Sequence, residues 1–510
     1  MGLRNNYYFS SFFWSTFSKI LNAVIGFISV PLLLGYYGKA EYGILGIATA
    51  CNGYMHLLDL GMNVGAVKYF SQWKAEGKSD LINRVARTNI TFYGIIAIIN
   101  IIGLVALAIW GEPIFSVSHD QFLQLRACLL IIALFSILSW GTTTFNQLLV
   151  ANMQLAYTMQ LQSILTLLKG LLIGAVFLFK LTLTEYFFIL TGLVALLIIP
   201  YAEKCRKLNL IESIRPATYW KDFKVVLMFS LSIFALSLFQ MTSTQSRPIV
   251  LSMFAKDGAE AVAEFRIIEV VPQLIIMICG TFSAIFLPKA SKLIVNNNQS
   301  EIDVFSYKWT ILTTIIANCL CFPFILGAQD ILTAYVGNEY SNLSVWLIIW
   351  VICVLFQVHS SPTNALILAK GRTKVLVYVS ATACVISIII NAFLAKVYGV
   401  GAAVLGYFVY IIINLCCYYG YYFKHSLRIS RLKICSSFLT PTLIGIVPTV
   451  IIFLLLNNKQ IFILDERLSA IIQFSIKALL WIVGYSSLLF LTKVVKLRGK
   501  TVLTKYDAWY

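Results

Sequence analysis

The sequence predicts an all-α polytopic membrane protein with about fourteen transmembrane helices. Of its 510 residues, 59% are hydrophobic and only 12% are charged, whereas a soluble chain carries roughly a quarter charged residues. The apolar residues fall in runs of about 18 to 28 along the whole chain, matching the ~20 residues a helix needs to cross a hydrocarbon core. The mean hydropathy of +0.85 agrees. A soluble enzyme, a disordered chain and a nucleic-acid-binding domain are excluded.

Taken in order, the first six runs lie at about 8–36, 42–63, 88–110, 125–150, 158–179 and 185–201, the last of them short. Met1 to Asn6 carries one arginine and leads into the first run without a cleavage-site pattern, so that run reads as a span. The longest hydrophilic stretch follows, from Glu203 to Asp222, with Lys204, Arg206, Lys207, Arg215 and Pro216. Six further runs occupy 224–254, 262–287, 308–327, 344–367, 375–397 and 401–423. After the basic loop with Lys424, Arg428, Arg431 and Lys433 come 436–456 and 469–491. The expected organisation is a six-helix lobe at 1–204, a basic cytoplasmic linker at 205–223 and a second six-helix lobe at 224–423. An extra helix pair at 436–492 and a basic cytoplasmic tail at 493–510 complete the chain.

The two lobes read as a duplication. Asn146 to Ala151 lines up with Asn364 to Ala369 at a shift of 218, and Lys68 to Leu81 with Lys289 to Ile302 at 221. Pro31 and Pro248 correspond at 217. Six spans per copy gives both lobes the same orientation, which places a substrate site at their interface. Proline also interrupts spans at 272, 323, 362, 441 and 448. The paired Pro31 and Pro248 are the hinge candidates, because each removes a backbone donor and bends its helix.

Most of the net charge of +18 is topological. With the N-terminus inside, 27 of the 39 Lys and Arg lie in or at the edges of inward segments and 6 in outward loops. That bias places both termini in the cytoplasm. None of the eleven cysteines falls in an outward loop, so no disulfide framework is expected.

The charges inside the spans need a functional account, since each costs about 2.5–3.5 kcal/mol on insertion scales. Lys19, Lys169 and Lys477 lie within spans, Arg247 in the outer half of the seventh and Arg266 near the outer end of the eighth. The acids are Asp59, Glu264 and Glu269. Arg266 and Glu269 are three apart and can pair on one helix face, whereas Lys19, Lys169, Arg247 and Lys477 have no acid within a turn. Cations at several heights of a low-dielectric wall attract an anion, and arginine suits phosphate oxygens. Transport of a phosphate-linked substrate follows as the expectation, with Lys19, Arg247, Lys169, Arg266 and Lys477 as cavity cations. Glu264, Glu269 and Asp59 are the candidate coupling acids. The four histidines, His56, His119, His359 and His425, form no metal-spacing cluster, and no nucleophile elbow or phosphate-cradling loop is present. No cofactor or metal is expected.

Gly35-Tyr-Tyr-Gly38, Glu41-Tyr42-Gly43, Leu57-Leu-Asp-Leu-Gly-Met62 running into Lys68, Leu287-Pro288 and Tyr335 to Tyr340 carry a resemblance. On these, the whole chain resembles the polysaccharide-type flippases of the multidrug/oligosaccharidyl-lipid/polysaccharide exporter superfamily. The resemblance implies two six-helix bundles around a cationic cavity, working by alternating access in the bacterial cytoplasmic membrane. It also implies a polyprenyl-diphosphate-linked oligosaccharide as substrate, an O-antigen, capsule or exopolysaccharide repeat unit. Membrane lipid, a polymerase and glycosyltransferases of the same pathway are the implied partners. Lys19 and Arg247 occupy the kind of position where such proteins carry cavity cations. A cation-coupled multidrug exporter of the same superfamily is the alternative, but it would want acids where the first span offers Lys19. A membrane polymerase would be expected to show a large outward loop with arginines, and an acyltransferase a buried histidine near an acid; neither is visible.

Overall fold

A computed structural model describes residues 2–296, 298–371, 374–456, 465–492, 494–498 and 501–504. Lys459, Arg372 and half of the basic tail lie outside the described residues, as do the side chains of Leu287 and Pro288. Among the described residues, eleven helices are long and apolar enough to cross a membrane.

Helix α1 runs from Gly2 to Met55 and contains the first expected span and most of the second, which runs on past Met55 to residue 63. Gly38 divides it, with φ 78° and ψ 172°, a conformation open to glycine and strained for a side chain. The first two apolar runs therefore count as one element. Beyond a 3-10 turn at His56–Asp59 come α2 (Met62–Ala75), α3 (Ser79–Trp110), α4 (His119–Ala151) and α5 (Leu155–Phe179). Capping boxes start two of the helices. Ser118 and Gln121 bracket the first turn of α4, and Thr182 and Glu185 that of α6 (Leu183–Ala195). In each, a hydroxyl and a carboxyl or amide oxygen satisfy backbone donors that no helical carbonyl can reach.

The sixth span is longer than the sequence suggests. After a break at Leu196–Leu197, α7 (Ile198–Lys207) continues it, so that 183–207 reads as one crossing element. Its last turn carries Lys204, Arg206 and Lys207, cations that complement the carbonyl end of a helix. Their polarity hides the helix end from an apolar-run search, and the helix runs on to Lys207.

Two helices fall on the expected seventh and eighth spans, α8 (Trp220–Phe254) and α9 (Gly258–Asn296). The chain divides into two compact units, 1–263 and 264–510. The division lies inside α9 and not in the linker 205–223, because α8 packs on α1, α2 and α3. Arg84 Nε lies 3.1 Å from an Asp222 oxygen, and the Lys68 ammonium sits 3.6 Å from the centre of the Phe229 ring.

The second unit contains α10 (Gln299–Leu326), α11 (Ala328–Tyr335), α12 (Ser344–Val358), α13 (Ser361–Lys370), α14 (Lys374–Tyr398) and α15 (Val400–Cys417). A π-helical stretch at Tyr418–Ser426 leads to the added pair, α16 (Arg431–Leu456) and α17 (Glu466–Leu491). The added pair is cemented rather than appended. Trp481 of α17 stacks on Phe322 of α10 at 5.2 Å, and its indole N–H donates to Thr449 Oγ1 of α16 at 2.8 Å. The described tail residues pair as an antiparallel ribbon, Val495–Arg498 with Thr501–Thr504.

Helices meet through small residues, as membrane helices do. A methyl group on Gly170 would touch Ile25, and one on Gly406 would lie 2.7 Å from the Ser387 carbonyl oxygen. Large apolar side chains such as Leu178, Phe393 and Leu454 stand exposed on helix faces, which suits a lipid solvent and not water. All eleven cysteines are free.

Candidate functional site

The first unit holds three of the expected cavity cations. Lys169 lies midway along α5, on the row marked by the buried Thr158, Leu165, Thr166, Leu172, Ile173 and Val176. That row is one helical face, so the lysine faces the inside of the bundle and is only half-buried. It makes no hydrogen bond or ion pair with a described residue. Lys19 on α1 is exposed.

Arg247 is buried at 5% exposure, and its Nε donates to the Ser243 carbonyl at 3.0 Å. The next residue, Pro248, lies inside α8, and Pro31 lies inside α1. Both candidate hinges therefore sit within helices that continue past them.

In the second unit, two expected cavity cations have acidic partners. Arg266 Nη1 lies 2.8 Å from Glu269 Oε2 on the same face of α9, the local pair the spacing predicts. Lys477 corrects the expectation of an unpaired cation. Its ammonium meets Asp330 Oδ2 at 2.6 Å, with both side chains largely buried. The acid comes from α11, far away in sequence, where a search along one turn of α17 could not find it. Glu264 also has interactions of its own.

Asp59 occupies the 3-10 turn that ends α1. Its Oδ1 accepts the Tyr93 hydroxyl at 2.6 Å, and its Oδ2 accepts the Asn63 backbone N–H at 3.3 Å. The Tyr93 hydroxyl in turn accepts from Gln147 Nε2 at 2.8 Å, and Asn89 Nδ2 donates to Gln147 Oε1 at 2.7 Å. The Leu57 to Met62 motif builds this turn. Leu60 and Gly61 both take left-handed conformations, at φ 53° and 72°. A methyl group on Gly61 would also lie 2.7 Å from the Ser230 carbonyl oxygen of α8.

Around Asp59 opens a cavity of about 360 Å³, walled by His56, Asn63, Trp140, Asn146, Gln162 and Tyr201 among others. Sequence reasoning missed it. Ser139, Thr143 and Asn146 recur at i, i+4 and i+7 on α4, a polar stripe in an otherwise apolar helix. That stripe was the available signal; His56, Gln162 and Tyr201 come from other elements.

The family described as polysaccharide biosynthesis protein matches residues 9–286, more than half of the chain. The chain belongs to this family. No curated protein matches it. Among solved structures, this polysaccharide biosynthesis protein is similar to "Lipid II flippase MurJ, inward closed conformation". That likeness has a TM-score of 0.71 at 14% identity, over 94% of this chain and 99% of that one. An inward-facing multidrug resistance MATE family transporter of the MOP superfamily matches with a TM-score of 0.66 at 12% identity, over 77% of this chain and 92% of that one. The fold is shared with both.

Proposed function

We propose that this protein is a flippase that carries a polyprenyl-diphosphate-linked oligosaccharide across the bacterial cytoplasmic membrane by alternating access. The sugar and diphosphate cannot cross hydrocarbon unaided, because polar and charged groups lose their water there. A protein path that offers cations lowers that barrier. The observation that carries the reading is Lys169, a cation at mid-helix on the inward row of α5 with no described partner. Lys19 on the neighbouring α1 and the buried Arg247 on α8 are further cations of the same unit. The family and the fold shared with a lipid II flippase support the same conclusion. Arg266 and Lys477, each held by a carboxylate, contribute less to binding. Both termini lie in the cytoplasm in this reading, Pro31 and Pro248 act as hinges, and a polymerase and glycosyltransferases act on the same lipid-linked unit.

The fold shared with a multidrug transporter favours a second reading, export of a cationic drug coupled to an ion. The acids argue against it, since Asp59 is held by Tyr93 and Glu269 by Arg266. Charge reversal at Arg247 decides between them. Arg247→Glu should abolish surface-polymer assembly at normal protein levels, and wild-type polymer in that variant would overturn the flippase reading.

A further inference from the structure

The chemistry of the cavity beside Asp59 differs from that at Lys169. Among the described residues, no lysine or arginine lines the cavity. Ser139, Trp140, Thr143, Asn146 and His56 line it, and none of their side chains hydrogen-bonds to a described residue. Unspent donors and acceptors of this kind belong to a site that awaits a polar ligand or water. The volume falls within the range of about 300–1,000 Å³ typical of small-molecule sites.

The second unit offers an internal comparison. The offset of 218 that pairs Asn146 with Asn364 also pairs Ser139 with Gln357. There the hydrogen bonds are already made: Asn364 Oδ1 accepts the Tyr418 hydroxyl at 3.1 Å, and Gln357 Oε1 accepts the Tyr407 hydroxyl. His359 beside them stacks on Phe438 of the added helix α16 at 4.2 Å. The same positions are filled in one unit and open in the other.

We propose that the cavity is a saccharide subsite, which takes a neutral sugar bearing hydroxyl and amide groups. This rests on the flippase reading and names the part of the substrate that the cations do not bind. An anion is disfavoured because the Asp59 carboxylate stands in the wall with no cation beside it. A hydrocarbon tail is disfavoured because it would bury the unspent groups unpaired. A sugar suits this wall: its hydroxyls reach Asn146, Thr143 and Asp59, while Trp140, stacked on Tyr93 behind it, Val194 and Leu197 supply the apolar part of the lining. Asp59 arrives pre-oriented, since Tyr93, Gln147 and Asn89 fix it from behind.

The position of Gln162 connects the two sites. Gln162 lines the cavity, and Lys169 lies seven residues further along α5 on the same face. At 1.5 Å per residue the two are about 10 Å apart along the axis. One helix face can hold a phosphate at the lysine and a sugar at the glutamine.

The test is binding of free chitobiose and free cellobiose to the full-length protein in lipid nanodiscs, with inorganic pyrophosphate as the anionic probe. Saturable binding of at least one disaccharide is expected, weakened about tenfold or more in Asn146→Leu and in the milder Thr143→Val, and unchanged in Lys169→Met. No saturable disaccharide binding to the wild type, or binding that neither cavity variant weakens, overturns the proposal. So does pyrophosphate binding that the cavity variants abolish. Transport of a lipid-linked oligosaccharide in proteoliposomes is read in parallel. Disaccharide binding without transport leaves the subsite standing and defeats the flippase reading; transport without disaccharide binding does the reverse.

Discussion

The Lys477 ammonium lies 2.6 Å from the Asp330 carboxylate, inside a contact that joins α17 to α11. Side-chain exposures of 6% and 14% leave little water to screen the pair. Removing one partner from such a pair strands a charge, at a cost of about 3–5 kcal/mol, whereas replacing both with apolar groups is often neutral. Lys477→Ala should therefore lower thermal stability in detergent strongly, and Lys477→Met with Asp330→Leu should recover it. Transport by the double variant should stay near wild type. A stable Lys477→Ala protein that has lost transport would make Lys477 a substrate contact after all.

Lys169 predicts the opposite signature. No described residue neutralises it, so its charge is a stability burden of about 2.5–3.5 kcal/mol if it is buried mid-bilayer. Lys169→Met should leave stability unchanged or raise it, while transport of the lipid-linked oligosaccharide falls about tenfold or more. A loss of stability comparable to that of Lys477→Ala would show that Lys169 has a structural partner. Thermal unfolding and flux measured on the same preparation check both halves.

The contrast between these two lysines shows where the sequence is legible. Membrane helices announce themselves by apolar length, and Arg266 with Glu269 by a spacing of three, because both signals are local. The partner of Lys477 is supplied by tertiary packing, 147 positions away in the chain, and no window on α17 contains it. The Gly38 break inside α1 and the basic end of α7 shift element boundaries for the same kind of reason. A positive-φ glycine and a polar last turn change geometry without changing the apolar run. The cavity was half visible, as the stripe of Ser139, Thr143 and Asn146, but the turn that brings His56 and Asp59 beside it is a folded property.

Lys180 ends α5 in a left-handed conformation, at φ 52° and ψ 47°. A side chain there costs roughly 1–2 kcal/mol, which glycine avoids, although glycine gives back about 0.5–1 kcal/mol in chain entropy. Relief of backbone strain outweighs the entropy loss. Lys180→Gly should raise thermal stability modestly and leave transport unchanged, since the lysine side chain is exposed and makes no bond to a described residue. A lower unfolding temperature would show that the ammonium holds something the helix end needs.

Near the break in α1, two contacts tie that helix to the start of α9, and their magnitudes differ. Lys39 Nζ lies 2.8 Å from Glu260 Oε2, but the side chains are 29% and 43% exposed, so the pair contributes about 0–1 kcal/mol. Gly43 faces the Ala259 carbonyl so closely that an added methyl group would overlap its oxygen. That oxygen belongs to backbone and cannot swing aside, so the overlap must be relieved by moving the helices, at about 1–3 kcal/mol. Close approach, and not the ion pair, should dominate this contact. Gly43→Ala should cost more stability than Lys39→Ala. Thermal unfolding of the two single variants side by side tests the order, and a larger loss in Lys39→Ala would reverse the assignment.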